Sequence, residues 1–146
     1  MKKTLSIIVL LVICVFFACS CTENSTEGVA TLVVAASDSD TMAYEVPLAE
    51  LSEGKGLLPI LEYLKEKEGL EYTLSGTMLD SVGKVKNDSE TKTYIYIYTS
   101  VESDFDVSEY KSEIEYEGKT LVSSGVGFDQ MTVTEGAIIY IGTIVW

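Results

Sequence analysis

The chain has 146 residues, 47% of them hydrophobic and 23% charged, which suits one globular domain and excludes both a disordered chain and a multi-span membrane protein. Its charge is lopsided: ten basic residues, all lysine, stand against 23 acidic ones, for a net charge of -13, and histidine and arginine are absent. Phosphate recognition depends on clustered Lys and Arg, so no nucleic-acid partner is expected.

The first elements in chain order are targeting signals. Lys2 and Lys3 form a positive start, and Thr4 to Ala18 is a 15-residue, mostly apolar run, shorter than the roughly 20 residues that span a bilayer. Residues 1–20 therefore read as a signal peptide. Phe16-Phe17-Ala18-Cys19-Ser20-Cys21 resembles the lipobox of bacterial lipoproteins, with Cys19 and Cys21 both acceptable as the acylated residue. The simpler alternative is a secretory leader cut without acylation. Acylation predicts an extracytoplasmic protein, held by its N-terminal lipid at the outer face of the bacterial cytoplasmic membrane. Without Lys2 and Lys3 the balance becomes 8 basic against 23 acidic residues, or -15.

Residues 21–28 form a polar tether, and residues 29–146 the folded domain. Cys14, Cys19 and Cys21 are the only cysteines, so the domain has no disulfide, thiol nucleophile or thiolate metal site. Val29 to Ala36 is β-branched and apolar, as in a strand buried on both faces. Ser37 to Asp40 then makes a turn, and Met42 to Val46 returns antiparallel. Leu57, Leu58, Leu61 and Leu64 recur at helical spacing, with Pro59 in the first turn and Gly69 as the stop. Glu62, Lys65, Glu66 and Glu68 form the solvated side.

The remaining chain reads as strand. Short strands are expected at Glu71 to Leu74 and Met78 to Val85, with an exposed turn at Lys86 to Lys92. Thr93 to Ser100 alternates strictly, placing Tyr94, Tyr96 and Tyr98 on one face and Ile95 and Ile97 on the other. An acidic loop, Val101 to Lys111, precedes a short strand, Glu113 to Tyr116, with its turn at Glu117-Gly118-Lys119. Met131 to Thr134 leads through Glu135-Gly136 into a central closing strand, Ala137 to Trp146. Hairpin, helix and further strands make an α+β fold, most economically a β-grasp: a mixed sheet packed on one short helix.

The hairpin before a Leu-rich helix, the strand Tyr94-Ile95-Tyr96-Ile97-Tyr98-Thr99-Ser100 and the segment Gly125 to Tyr140 containing Val133-Thr134-Glu135-Gly136-Ala137 resemble a known family. It is the bacterial surface-lipoprotein domain of unknown function related to the C-terminal β-grasp domain of transcobalamin and intrinsic factor. The resemblance runs from Val29 to Ile144, and Ile95 stands where members of the family typically carry tryptophan in Tyr-Trp-x-x-Tyr. In the eukaryotic relatives this domain closes over cobalamin beside a helical domain, and no such helical partner is expected within these residues. The resemblance implies a non-catalytic domain that captures a cobalamin-like (corrinoid) or other micronutrient ligand for an uptake permease. The alternative is a module that docks a cell-surface protein or the cell wall.

The tyrosine stripe is the candidate binding surface. If Ile95 and Ile97 meet the helix, Tyr94, Tyr96 and Tyr98 face outward as a flat aromatic platform, extended by Tyr140 and Trp146. Gly142, between those two, would let a ligand or another backbone approach closely. The plainer reading is that cross-strand aromatic pairs stabilise this face, by about 0.2–1 kcal/mol each. Asp104, Asp106, Ser108 and Glu115 fall at positions 1, 3, 5 and 12 of a calcium-loop template, but Glu109 occupies the glycine position, so a solvated acidic loop is expected. No metal and no cofactor are expected. Without histidine or a domain cysteine, the usual triads are unavailable, and no carboxylate pair stands out as catalytic.

Overall fold

A computed structural model of the chain describes residues 27–146. The signal peptide, the lipobox cysteines Cys19 and Cys21 and the tether as far as residue 26 lie outside the described residues.

Strand β1 (Val29–Ser37) turns at Asp38-Ser39 into β2 (Asp40–Pro47), with a register shift between Ala35 and Ser37. A 3-10 turn, Leu48–Glu50, leads to the helix α1 (Leu58–Glu68), which has Pro59 in its first turn. Proline is harmless there because the first N–H groups of a helix have no internal acceptor. The helix stops at Gly69, whose φ of 69° is the left-handed conformation that favours glycine, and Leu70 N–H closes back on Leu64 C=O at 3.2 Å.

Three short strands follow: β3 (Tyr72–Ser75), β4 (Met78–Val82) and β5 (Val85–Lys86). The single strand expected over Met78 to Val85 is thus split in two by the turn at Gly83-Lys84. Strand β6 (Thr93–Thr99) is the alternating tyrosine strand. The chain then forms β7 (Glu113–Tyr116), β8 (Lys119–Ser123) and β9 (Ile138–Val145). Strand β8 has no counterpart in the sequence reading, and residues 131–134 are irregular.

The six-stranded sheet has the order β2-β1-β9-β6-β8-β7, and β3-β4-β5 make a smaller sheet. The pair β1 and β9 is parallel and every other pair is antiparallel. The parallel pair lies in the middle of the sheet, with the main core on one face and the smaller cluster of Val33, Leu121 and Ile138 on the other. This explains why Leu32, Val33, Val34 and Ala35 are all buried, and why the closing strand is as apolar as its sequence suggests.

The main core lies on one face of the large sheet. Leu57, Ile60, Leu61 and Leu64 of the helix region pack with Leu32, Val34, Ile139 and Ile141, and the small sheet adds Leu79, Val82 and Val85. Ile95 and Ile97 pack against this cluster, so the tyrosines of β6 do take the opposite face. The result is a mostly sheet α+β domain with one short helix. Among the described residues no helix is long and apolar enough to cross a membrane.

Candidate functional site

On the face away from the helix, the cross-strand partners are Tyr94 with Ile144, Tyr96 with Gly142, and Tyr98 with Tyr140. Directly opposed residues share a face. The rings of Tyr96 and Tyr98 lie 5.3 Å apart at 65°, those of Tyr98 and Tyr140 6.2 Å apart at 79°, and those of Tyr140 and Tyr116 5.8 Å apart at 62°. Each contact is edge to face, the arrangement that the ring quadrupole favours.

This geometry changes the expected site in three respects. The rings form a tilted row instead of a flat platform, because each packs its edge on the next ring. Tyr116 joins the row from β7, a neighbour that no local pattern in the chain signals. Tyr94 and Trp146 lie on the strand ends, 38% and 72% exposed, and pair with no ring of the row among the described residues. The space over Gly142 is not open to a ligand either. A Cβ built there would stand 3.1 Å from Cε1 of Tyr140, so the neighbouring ring on the same strand already covers the glycine.

Beneath the row is a second, smaller core of Val33, Leu121 and Ile138, against which Tyr98, Tyr116 and Tyr140 pack. The tyrosines therefore roof this core on one side and meet solvent on the other. Tyr98 also accepts a hydrogen bond from the Ser112 hydroxyl at 3.3 Å. A double-mutant cycle on Tyr98→Ala and Tyr140→Ala should return a coupling of about 0.5–1.5 kcal/mol in urea unfolding. Strict additivity would show that the edge contact contributes nothing.

Burial raises the pKa of Tyr140 above the ordinary tyrosine value, helped by Asp38 and by the neighbouring Tyr98 and Tyr116. Tyr116 is raised by burial and by Glu117, Tyr44 by burial and Glu68, and Tyr72 by burial and its hydrogen bond to Glu62. A phenol whose folded pKa exceeds its unfolded value of about 10 stabilises the fold fully below pH 10. That contribution is lost as pH rises through the folded values. The urea midpoint should accordingly decline from pH 9 to pH 11, and a midpoint that rises over this window would contradict these shifts.

The carboxyl groups of the acidic loop do not converge. Asp104 is 4% exposed and accepts hydrogen bonds from Thr132 N–H at 2.5 Å, the Thr132 hydroxyl at 2.8 Å and the Ser103 hydroxyl at 3.1 Å. Asp106 accepts from Ser108 N–H, and Glu115 from the Thr120 hydroxyl. Asp104 is thus an internal brace, contrary to the solvated loop expected of this segment. It holds one rim of a cavity of about 720 Å³ whose apolar walls include Leu48, Leu51, Pro59, Met131 and Val133, with Glu53 and Glu135 also lining it. Sequence pattern could not reveal this cavity, because its walls come from two separate loops and the helix start.

In fold the domain is similar to a solved crystal structure from Ruminococcus gnavus ATCC 29149 described as a "putative metal binding protein". The two share 14% identity over 82% of this chain and 99% of that chain, with a TM-score of 0.51. No protein-family model and no curated protein matches the chain.

Proposed function

We propose that the chain is a non-catalytic binding module of β-grasp topology, tethered by lipid on Cys19 or Cys21 outside the cytoplasmic membrane. The strand order supports the β-grasp reading: a hairpin, a helix across one face, and first and last strands parallel in the centre of the sheet. The observation that carries the binding role is the solvent-facing tyrosine row on the sheet face the helix leaves free. Aromatic side chains with a polar tip suit a recognition surface, since one end is apolar and the other hydrogen-bonds.

Two ligand classes fit this surface. A cobalamin-like or other micronutrient follows from the family resemblance; the cavity of about 720 Å³, within the roughly 300–1,000 Å³ of small-molecule sites, is a separate place for it, since no tyrosine of the row lines that cavity. A surface protein or cell-wall partner is favoured by the ring tilt, which presents ring edges and hydroxyls where a corrin plane would need a flat face. The description of the Ruminococcus gnavus protein is not carried over, since the likeness at 14% identity is one of fold. Among the described residues no three His, Cys, Asp or Glu side chains are grouped to hold an ion.

Titration with cyanocobalamin, read through Trp146 fluorescence corrected for absorbance, tests the first class. Saturable quenching at micromolar concentration or below is expected if it holds. Recovery of a surface partner by the wild-type chain, lost on Tyr96→Ala, is the result expected of the second. Failure of both would overturn the binding role of this face.

A further inference from the structure

Strand β6 pairs with β9 along its whole length, but with β8 only at Tyr98 and Thr99. Its odd-numbered residues turn their main-chain groups toward that second edge. Thr93 exchanges two hydrogen bonds with Asp88, at 2.7 and 2.9 Å, and Ile95 N–H donates to Asn87 Oδ1 at 2.7 Å. Further along, Ser124 N–H donates to Ile97 C=O at 2.8 Å. The Asn87 side chain also donates to Leu79 C=O at 3.0 Å, so its amide stands where the peptide of a neighbouring strand would.

Between the Asn87 amide and Ser124 the ladder is interrupted. Among the described residues, Ile95 C=O and Ile97 N–H have no hydrogen-bond partner. They form one acceptor and one donor bracketing Tyr96. A strand receives a residue of a parallel neighbour in this way, taking its N–H on the preceding carbonyl and offering its C=O the following N–H. The gap adjoins a groove of about 270 Å³ whose apolar walls include Met78, Leu79, Ile95, Ile97, Val126 and Phe128.

We propose that this groove binds an extended peptide segment of another protein, one residue of which completes the β6 ladder while its apolar side chain enters the groove. Main-chain pairing supplies affinity in such strand addition, and the side-chain pocket supplies selectivity. The partner is neutral to basic: the chain carries a net charge of -13, and of the charged neighbours of groove residues in the chain three are acidic, Asp80, Asp88 and Asp129, against Lys86. The same charge disfavours a second copy of this chain as the occupant. The groove meets the tyrosine row at Tyr96, which also lines it, but Tyr98, Tyr116 and Tyr140 lie outside it.

The test uses the ¹⁵N-labelled full-length chain in detergent, titrated with acetyl-Lys-Ala-Leu-Ala-Lys-amide. The Ile97 amide should shift downfield and its hydrogen exchange should slow. The same peptide N-methylated at leucine lacks the donor for Ile95 C=O and should bind about tenfold more weakly. Met78→Lys, at an exposed groove position, should also weaken the basic peptide, whereas Met42→Lys, which adds the same charge at an exposed position of the far edge strand β2, should leave its affinity unchanged. An unmoved Ile97 at millimolar peptide, equal binding of the N-methylated peptide, or an Ile97 amide as protected as Thr99 in the free chain would each overturn the proposal. Shifts confined to Tyr98, Tyr116 and Tyr140 would overturn it while leaving the tyrosine row a binding surface.

Discussion

Replacing both Cys19 and Cys21 with alanine should abolish palmitate labelling and release the domain from the membrane fraction. Either single replacement should leave labelling in place if the remaining cysteine offers a usable register. Spacing is the reason: Ala18 precedes Cys19 and Ser20 precedes Cys21 at the end of the same apolar run. A single acyl chain binds membranes only marginally, whereas stable anchoring takes about two membrane signals, which lipoprotein-type acylation supplies. No compensating attachment is expected from the domain. Its acidic surface is repelled by anionic headgroups, and among the described residues no helix can span a bilayer. Labelling that persists in the double variant would refute acylation at Cys19 and Cys21, and a wild-type chain that takes no label would return the leader to an ordinary secretory role.

The elements that were legible in the sequence are those whose own residues carry a period. Val29 to Ala36 and the start of the closing strand are nearly continuous apolar runs because β1 from Leu32 to Ala35 and β9 from Ile138 to Gly142 are largely covered on both faces. Leu57, Leu61 and Leu64 mark the helix because only one of its sides meets the sheet. Thr93 to Thr99 alternates because Ile95 and Ile97 face the main core while the tyrosines face the other way. Strand β8 was missed for the opposite reason: Thr120 is exposed and Ser123 is buried, so polarity does not track burial along it. With β8 unplaced, β7 had no position in the sheet and Tyr116 no neighbour. The row's Tyr116–Tyr140 contact joins strands that are not adjacent in the sheet, and nothing local in the chain signals it. The tilt of the rings and the covering of Gly142 depend on side-chain rotamers, which a face assignment does not determine. The gap on β6 is likewise a property of which main-chain groups find partners, and the alternating pattern of Thr93 to Thr99 is blind to it.

Asp104 gives the second large effect. A carboxyl group taken from water is destabilising unless its oxygens are bonded, and here three donors from Ser103 and Thr132 meet them. Its main chain is tied as well, donating to Val101 C=O at 3.0 Å and accepting from Gly125 N–H at 2.8 Å. One residue therefore joins the loop after β6, the loop after β8 and the segment that leads to β9. A hydrogen bond to a charged acceptor contributes about 1.5–3 kcal/mol, and a buried donor left unmet costs a similar amount. Asp104→Ala should thus lower unfolding stability by on the order of 3 kcal/mol in urea, a large share of the roughly 5–15 kcal/mol of a typical domain. Asp104→Asn keeps one acceptor oxygen and should lose clearly less. The loss should also be local: amide exchange at Thr132 and Val133, on the rim of the large cavity, should accelerate more than exchange at Leu61 in the helix. Equal stability of the alanine variant would mean that the brace is dispensable, and uniform acceleration of exchange would mean that it does not act on the rim in particular.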